Sequence, residues 1–363
     1  MVLHIMVNYQ INLAVCGCHQ ECREEVVPIG ATIKDIARML NLSHTTVSRA
    51  LNDSSLVNPN TKRLILDMAS QLNYVPNYSA KSLVRNRSYN IGLFFSTLAQ
   101  YTSPHFFYET VKGVKSGISQ HYNVVINDTE SFRDFKFIDG CRYDGIIIMS
   151  QNEKDNALIY HIMDQEIPLV VLNREVSNTS ILNVVSADRS GAYDAVLYLI
   201  DKGHARIAVI KGQKGFYAAD QRLEGYLNAL IDRQISISEE HIVEGNYSME
   251  SGLHAMRRLL SASVVPSAVF SCNDDMAIGA LKALSEQKIR VPEEISIVGF
   301  DDSGLSQFVT PSLTTVHRHL DQIGRLGALK LMSVVEDGNS YKNEKIFIPT
   351  TFIERDSVAV PSY

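Results

Sequence analysis

The apolar positions of residues 31–74 follow the period of an α-helix. The stretch TIKDIARML has one apolar stripe at the i, i+3, i+4, i+7 spacing, formed by Ile33, Ile36, Ala37 and Leu40. Thr32 precedes the stripe and can cap the first helical turn. Asn41 follows it and tolerates the left-handed conformation of a tight turn. The pattern predicts a short helix that ends near residue 40.

A second short helix is predicted directly after this turn. Ser43 can cap it, and its apolar face consists of Val47, Ala50 and Leu51. The stretch NTKRLILDMASQLNY predicts a third helix, which Pro76 ends. Two short helices joined by a tight turn, with a third helix that completes a small core, form a helix-turn-helix domain. We place this domain at residues 31–76.

Beyond residue 89 the chain alternates short apolar runs with helical stretches. Seven runs predict buried strands: NIGLFF, NVVIND, YDGIIIM, IPLVVLN, ARIAVIKG, PSAVFSCN and ISIVGFDD. Strands that alternate with helices are typical of parallel sheets with both faces covered. Seven strands exceed one compact sheet, so residues 89–363 are predicted to form two α/β lobes. Ligands of such sheets bind at the carboxyl ends of the strands, where polar pairs such as Asn173–Arg174 and Asp301–Asp302 occur here.

Two further segments lie outside these domains. Residues 77–88, NYSAKSLVRNRS, are basic and too short to form a stable helix alone, so we expect a hinge that becomes ordered only with a partner. Residues 1–30 are predicted to be a disordered extension. Their sulfur and imidazole groups could be read as metal ligands, but the second ligand pair of a metal site is missing, so we predict no metal. The groups concerned are Cys16, Cys18, His19 and Cys22.

The charge of the chain is unevenly distributed. The formal net charge is −6, yet residues 31–90 contain eight lysines and arginines and three aspartates, a net of +5. The segment NLSHTTVSRAL, residues 41–51, contains no acid at all. A helix that lies against a polyanion excludes acids, and Arg49 can offer a bidentate fork to guanine. We therefore predict that this helix binds DNA. The alternative is a solvated face in a small helical bundle.

Three other classes of protein fit the sequence less well. No apolar run approaches the roughly 18 residues that span a membrane. The stretch LAVC resembles a lipoprotein cleavage site, but no lysine or arginine precedes it, so we expect a cytoplasmic protein. Without a Gly-x-Ser-x-Gly elbow or a phosphate loop, a sugar-processing enzyme is only a remote alternative. We expect Cys141 and Cys272 to be buried thiols.

In its motifs the sequence resembles the lactose-repressor (LacI/GalR) family of bacterial transcription regulators over residues 31–355. The motifs are TIKDIARMLNLSHTTVSRALN, LNYVPNYSAKSL, DKGHARIAVI, RLEGYLNAL, FSCNDDMAIGALKAL, VPEEISIVGFDDS and PSLTTV, in this order. The resemblance implies a helix-turn-helix domain, a hinge helix and a core like a periplasmic sugar-binding protein. It implies a repressor that binds a near-palindromic operator. A leucine-heptad tail that makes tetramers in some relatives is missing here, so we expect a homodimer. We also expect no cofactor.

The resemblance also implies roles for individual residues at the DNA. The base-reading positions of the recognition helix match His44, Thr45 and Arg49. The phosphate-contacting positions match Thr32, Thr46, Ser48, Asn52 and Thr61. Leu83 matches the hinge leucine that wedges into the minor groove, with Ala80 beside it, although ordinary hinge packing would also explain a leucine here. Asn41 replaces the usual turn glycine, and His44 is a variable position, so the operator sequence cannot be read from the motif.

In the core, the resemblance implies an effector cleft between the lobes. The matching positions are Phe106, Phe107, Asp188, Arg222, Tyr247, Asn273 and Asp301. Arg222 is expected to bind effector hydroxyls, with a structural salt bridge as the alternative. Tyr247 is expected to stack on a sugar face, and Asp188 either reaches the ligand or caps the following helix. A neutral sugar is the first expectation for the effector. A purine co-repressor or a phosphorylated protein docking on the first lobe remains an alternative.

Overall fold

The structure is a computed structural model that describes residues 31–74, 87–98, 102–131, 134–177, 180–338 and 344–361. The chain divides into two compact units, residues 1–77 and 78–363. The predicted extension and most of the predicted hinge, including Ala80 and Leu83, lie outside the described residues. No helix in the described part is long and apolar enough to cross a membrane.

The first unit contains the predicted helix-turn-helix. Its helices are α1 (Ile33–Leu40), α2 (His44–Leu51) and α3 (Pro59–Gln71). Thr32 and Asp35 form a reciprocal capping box at the start of α1, and Asn41 ends the helix with a φ of 51°. Ser43 caps α2 by accepting a hydrogen bond from the Thr46 amide. The buried core consists of Ile36, Ala37, Val47, Ala50, Ile65 and Ala69.

The second unit has two lobes, each built on a parallel sheet. The first-lobe strands are β1 (Asn90–Phe95), β2 (Asn123–Asp128), β3 (Gly145–Met149), β4 (Leu169–Leu172), β5 (Leu182–Ser186) and β11 (Lys345–Ile348). Their order is β11-β5-β4-β3-β1-β2. The helices of this lobe are α4 (Pro104–Gly117), α5 (Asn156–Asp164) and α10 (Leu320–Asp337). Helices α4 and α10 approach so closely that a Cβ at Gly113 would lie 2.2 Å from the Asp321 carbonyl oxygen.

The second lobe is smaller. Its sheet has the order β7-β6-β8-β9, with β6 (Ile207–Lys211), β7 (Ile242–Glu244), β8 (Ala268–Ser271) and β9 (Ser296–Val298). Its helices are α6 (Asp188–Asp201), α7 (Tyr217–Asp232), α8 (Met249–Leu260) and α9 (Asp274–Glu286). An antiparallel pair completes it, formed by β10 (Thr315–His317) and β12 (Thr351–Ile353).

The chain passes between the lobes three times. The crossings fall between β5 and α6, between β10 and α10, and between β11 and β12. Each lobe is therefore assembled from separate stretches of chain. The last crossing returns residues 351–361 to the second lobe, where Ser357 donates a hydrogen bond to the Ile297 carbonyl and accepts one from the Thr314 amide.

The seven predicted strands are all present, and the two-lobed α/β class is confirmed. Five further strands were not predicted, namely β5, β7, β10, β11 and β12. The prediction that both core cysteines are buried was wrong for Cys141, which is exposed beside a turn, and correct for Cys272. Cys141 follows Gly140 in a turn, and its backbone amide donates a hydrogen bond to the Asp139 carboxylate. The apolar run begins only after this turn.

Candidate functional site

The exposed face of α2 is the first candidate site. His44, Thr45 and Arg49 are exposed, whereas Val47 and Ala50 on the opposite face are buried. Ser43 and the cap that it forms place the helix so that these three side chains point away from the small core. No hydrogen bond or ion pair within the described residues uses the Arg49 guanidinium, so it is available to a ligand.

Several of the residues predicted to contact phosphates already form hydrogen bonds within their own domain. The Thr32 hydroxyl donates to Asp35 at 2.6 Å, and this bond lowers the pKa of the Asp35 carboxyl. The Thr46 and Ser43 hydroxyls lie 2.8 Å apart, and the Asn52 amide donates to the Ser48 carbonyl at 2.8 Å. These bonds fix the orientation of the side chains around α2. Thr61 lies half-buried in the first half of α3.

The second candidate site is a cavity between the two lobes of the core. Together with its opening it encloses about 410 Å³ that protein atoms do not fill. The lining comes from both lobes and from the second crossing, and it consists of Ser103, Phe106, Gln151, Asn173, Phe216, Ala218, Arg222, Tyr247, Asn273, Asp301 and Arg318. Gln151, Asn173 and Asp301 each follow a parallel strand closely, as the rule for carboxyl ends requires.

Two buried arginines dominate the electrostatics of this cavity. Arg222 on α7 is 1% exposed and pairs with Asp188 at 3.0 Å and with Asp301 at 3.2 Å. It also donates to the Cys272 carbonyl oxygen and lies over the Phe300 ring, with 3.9 Å from its guanidinium carbon to the ring centroid. Burial alone would lower the pKa of Arg222, but the two carboxylates raise it, so the guanidinium stays charged.

Asp188 joins this arginine to the second one. Its other oxygen accepts from the Arg318 Nε at 3.0 Å, and Arg318 also donates to the Asn173 side chain in the first lobe. Burial alone would raise the pKa of Asp188, but Arg222 and Arg318 lower it. Asp188 is not among the lining residues of the cavity, and Ala187 rather than Asp188 stands at the N-cap of α6, so the predicted ligand contact stays a prediction. The Asp188 carboxylate holds the two arginines at the cavity wall.

Tyr247 and Asn273 form the wall on the second-lobe side. The Tyr247 ring stacks on Phe216, with ring centroids 6.1 Å apart. The Asn273 side chain caps α9 and donates to the Tyr247 carbonyl oxygen at 3.1 Å. Among the residues that the structure describes, no group forms a hydrogen bond with the buried Tyr247 hydroxyl or with the buried Oε1 atom of Gln151. Buried polar atoms without partners cost free energy, so a ligand that bonds to both would remove this cost.

Asp301 is held in place by its own backbone and by a buried neighbour. Its φ is 110°, outside the usual range for a residue with a side chain, and its amide donates to the Val316 carbonyl at 2.8 Å. Asp274 accepts from the Ser303 amide and from the Thr315 hydroxyl, both at 2.6 Å. These bonds fix the loop after β9 and aim the Asp301 carboxylate at Arg222.

Five of the predicted effector residues meet at this cavity: Phe106, Arg222, Tyr247, Asn273 and Asp301. Phe107 is not brought to it, because its ring packs on Phe95 in the first-lobe core with centroids 5.3 Å apart. The prediction missed Ser103, Gln151, Phe216, Ala218 and Arg318 as lining residues. Gln151 lies two residues after the apolar run GIIIM and could have been found from that position. Arg318 lies on a crossing, for which the sequence pattern gives no signal.

Comparison with known proteins identifies the two units separately. Residues 32–77 match the family model of bacterial regulatory proteins of the lacI family, and residues 196–358 match a periplasmic binding protein-like domain. Two solved structures are similar over nearly the whole described chain, each with 27% identity. One is a complex of the transcriptional regulator CelR with cellobiose, with a TM-score of 0.69, covering 90% of this chain and 99% of that one. The other is the Lac repressor dimer bound to operator and the anti-inducer ONPF, with a TM-score of 0.77, covering 91% and 99%.

Curated relatives give the same assignment at higher identity. The chain is 50% identical to the probable HTH-type transcriptional repressor ExuR of Bacillus subtilis over 327 residues, which are 90% of this chain and 98% of that protein. It is 33% identical to the HTH-type transcriptional repressor PurR of Haemophilus influenzae over 337 residues, with the same coverage. The chain belongs to the lacI family of bacterial DNA-binding transcriptional regulators.

Proposed function

We propose that this protein is a homodimeric repressor of the cytoplasm that binds a near-palindromic operator through α2 and responds to a neutral sugar in the cavity between its lobes. The observation that carries the effector half of the proposal is that two lining residues of that cavity, Tyr247 and Gln151, each have a buried oxygen without a hydrogen-bond partner among the described residues. The DNA half follows from the acid-free, exposed face of α2.

At the operator, α2 supplies the groups that read DNA. His44 and Thr45 occupy its N-terminal end, which in helix-turn-helix proteins contacts base edges in the major groove. Arg49 has no partner within residues 31–74, and an arginine in this position can donate two hydrogen bonds to guanine. A dimer places two such helices one helical turn of DNA apart, which requires a near-palindromic site. The phosphate contacts assigned to Thr32, Thr46, Ser48, Asn52 and Thr61 would fix the register.

In the cavity, the charges favour a neutral ligand. The two arginines are matched by the carboxylates of Asp188 and Asp301, so the charged groups among the described lining residues are all paired. A hydroxyl group can both donate and accept, and therefore suits the Tyr247 hydroxyl and the Gln151 Oε1 atom together. The rings of Phe216 and Tyr247 offer an apolar face of the kind on which a sugar ring stacks. A cellobiose complex among the similar structures supports the same chemical class.

The DNA half is tested by fluorescence anisotropy with the near-palindromic DNA upstream of the gene and a scrambled duplex. We expect Arg49→Ala to weaken operator binding about 5- to 150-fold, the loss of about 1–3 kcal/mol typical for one specific base contact, and to remove the preference over scrambled DNA. Arg38→Ala is the matched control, because it removes one exposed arginine of α1 in the same domain. An equal loss for both variants would refute the assignment of Arg49.

The effector half is tested on the same complex with cellobiose and a panel of neutral mono- and disaccharides. A sugar that changes operator affinity in the wild type should do so at least tenfold less effectively in Tyr247→Phe. The variant should unfold at the same temperature or a higher one, because the deleted hydroxyl has no partner. If no neutral sugar acts, or if Tyr247→Phe responds like the wild type, the effector assignment is wrong.

A further inference from the structure

Tyr217 is the first residue of α7, in the second lobe, and both of its hydrogen-bond donors bond to the first lobe. Its amide donates to the Gln151 carbonyl at 2.9 Å, and its hydroxyl donates to the Glu175 carboxylate at 3.1 Å. Gln151 follows β3 and Glu175 follows β4, so both acceptors belong to the first lobe. One residue therefore bridges the lobes twice, beside the cavity but outside its lining.

The amide bond has a simple physical reason. The first amides of a helix have no acceptor within the helix, and Phe216, which precedes α7, offers no side-chain cap. The Gln151 carbonyl of the other lobe fills this role for Tyr217. An open cleft would leave the amide to water, so this hydrogen bond exists only while the lobes are closed.

The hydroxyl bond is charge-assisted. Glu175 is also bound by Lys345 at the start of β11, and this bond lowers the pKa of the Glu175 carboxyl. The carboxylate is thus held ionised and in place by its own lobe. Burial and the neighbouring Glu175 raise the pKa of Tyr217, so its hydroxyl keeps the proton that it donates.

We propose that Tyr217 is a positioning residue that sets the fraction of closed molecules before any effector binds. Closure forms the effector cavity, so this fraction scales the apparent effector affinity. It also scales operator affinity without effector, and this second consequence rests on the proposed function. Tyr217→Phe then shifts operator affinity in the direction opposite to the one in which an effector shifts it, whether the effector induces or co-represses.

Hydrogen exchange of the full-length protein without any sugar tests the bridge directly. The Tyr217 amide remains in Tyr217→Phe, and we expect it to exchange about 5-fold faster, within the peptide that covers residues 213–220. That change corresponds to about 1 kcal/mol. Glu175→Ala should give a similar increase. The double variant should add little to either single change, since both remove the same bond.

Tyr193→Phe is the matched control. The Tyr193 hydroxyl also donates to a carboxylate at 3.1 Å, but its partner Asp232 lies in the same lobe. We expect its exchange at residues 213–220 to equal that of the wild type. Unchanged exchange in Tyr217→Phe, or an equal increase in Tyr193→Phe, would overturn the proposal. Because this experiment needs neither DNA nor sugar, its result is independent of whether the proposed effector class is right.

Discussion

Asp188→Asn should destabilise the core strongly. The carboxylate is buried between Arg222 and Arg318, which are 1% and 3% exposed. Arg222 lies 3.0 Å from one of its oxygens, and Arg318 lies 3.0 Å from the other. The cluster of two arginines, Asp188 and Asp301 is neutral. Asparagine has nearly the same shape, so the substitution removes one charge and leaves the packing almost unchanged.

The loss can be estimated from what each arginine retains. Arg222 keeps Asp301 and the Cys272 carbonyl, but within the described residues Arg318 keeps no carboxylate, only the neutral Asn173 side chain and the Phe106 ring. Removing one partner of a buried ion pair costs about 3–5 kcal/mol, because the remaining charge stays out of water. Domains of this kind are stable by about 5–15 kcal/mol, so the variant should lose a large part of its stability.

Urea unfolding followed by far-UV circular dichroism measures this loss, and the chain contains no tryptophan for a fluorescence signal. Glu224→Gln is the control, because Glu224 pairs with Arg189 at 3.0 Å but both side chains are about half exposed. We expect it to cost about 1 kcal/mol or less. The double variant Asp188→Asn/Arg318→Met restores a neutral cluster and should recover at least half of the loss. A cost below about 1 kcal/mol for Asp188→Asn would show that the arginines do not depend on this carboxylate.

Three further predictions concern other parts of the chain. Thr32→Ala removes the capping box of α1 and should lower the free energy of unfolding of the helix-turn-helix by about 1 kcal/mol. The measurement is the melting temperature of this unit, which should fall. An unchanged melting temperature would contradict the role of the cap. Gln151→Leu removes a buried oxygen that has no partner, so it should leave stability unchanged or higher and abolish the sugar response; a lost response with lower stability would instead indicate misfolding. The hydrogen bond to Asp302 raises the pKa of His317 above 6.5. The stabilisation that this bond gives to the folded state is therefore complete below pH 6.5 and is lost as the pH rises through the raised pKa. His317→Gln should therefore reduce the decline in unfolding free energy above pH 6.5, and equal slopes in both proteins would refute this assignment.

The sequence pattern found most strands that contain an apolar run, including β2, although no residue of β2 is buried. β3 and β4 are completely buried and were found, whereas β11 alternates exposed and half-buried residues at the edge of its sheet. β5 was missed for a different reason. It contains Asn183, which is buried because its side chain bonds to the carbonyls of Val171 and Arg174 and to the Val176 amide. A polar residue that serves the backbone interrupts an apolar run without interrupting the strand.

The candidate site was predictable to the extent that it lies at the ends of strands or in motifs of the family. Arg222, Asn273 and Asp301 have such positions, and the structure places them on one cavity wall. The family resemblance assigned Asp188 either to the ligand or to a helix cap, yet two arginines occupy both of its oxygens. How many arginines pair with a carboxylate depends on which side chains the crossings between the lobes bring together. The spacing of residues along the sequence does not predict this.

The three crossings also determine the order in which the protein can fold during its synthesis. The first-lobe sheet lacks its edge strand until β11 has been synthesised. The second lobe lacks β12 and the hydrogen bonds of Ser357 until later still. The described core of the helix-turn-helix is formed by residues 33–74, so this unit can fold before most of the chain has been synthesised. A chain terminated before residue 345 would therefore carry a folded DNA-binding head on two incomplete lobes, a species that exposes core surface to proteases and chaperones.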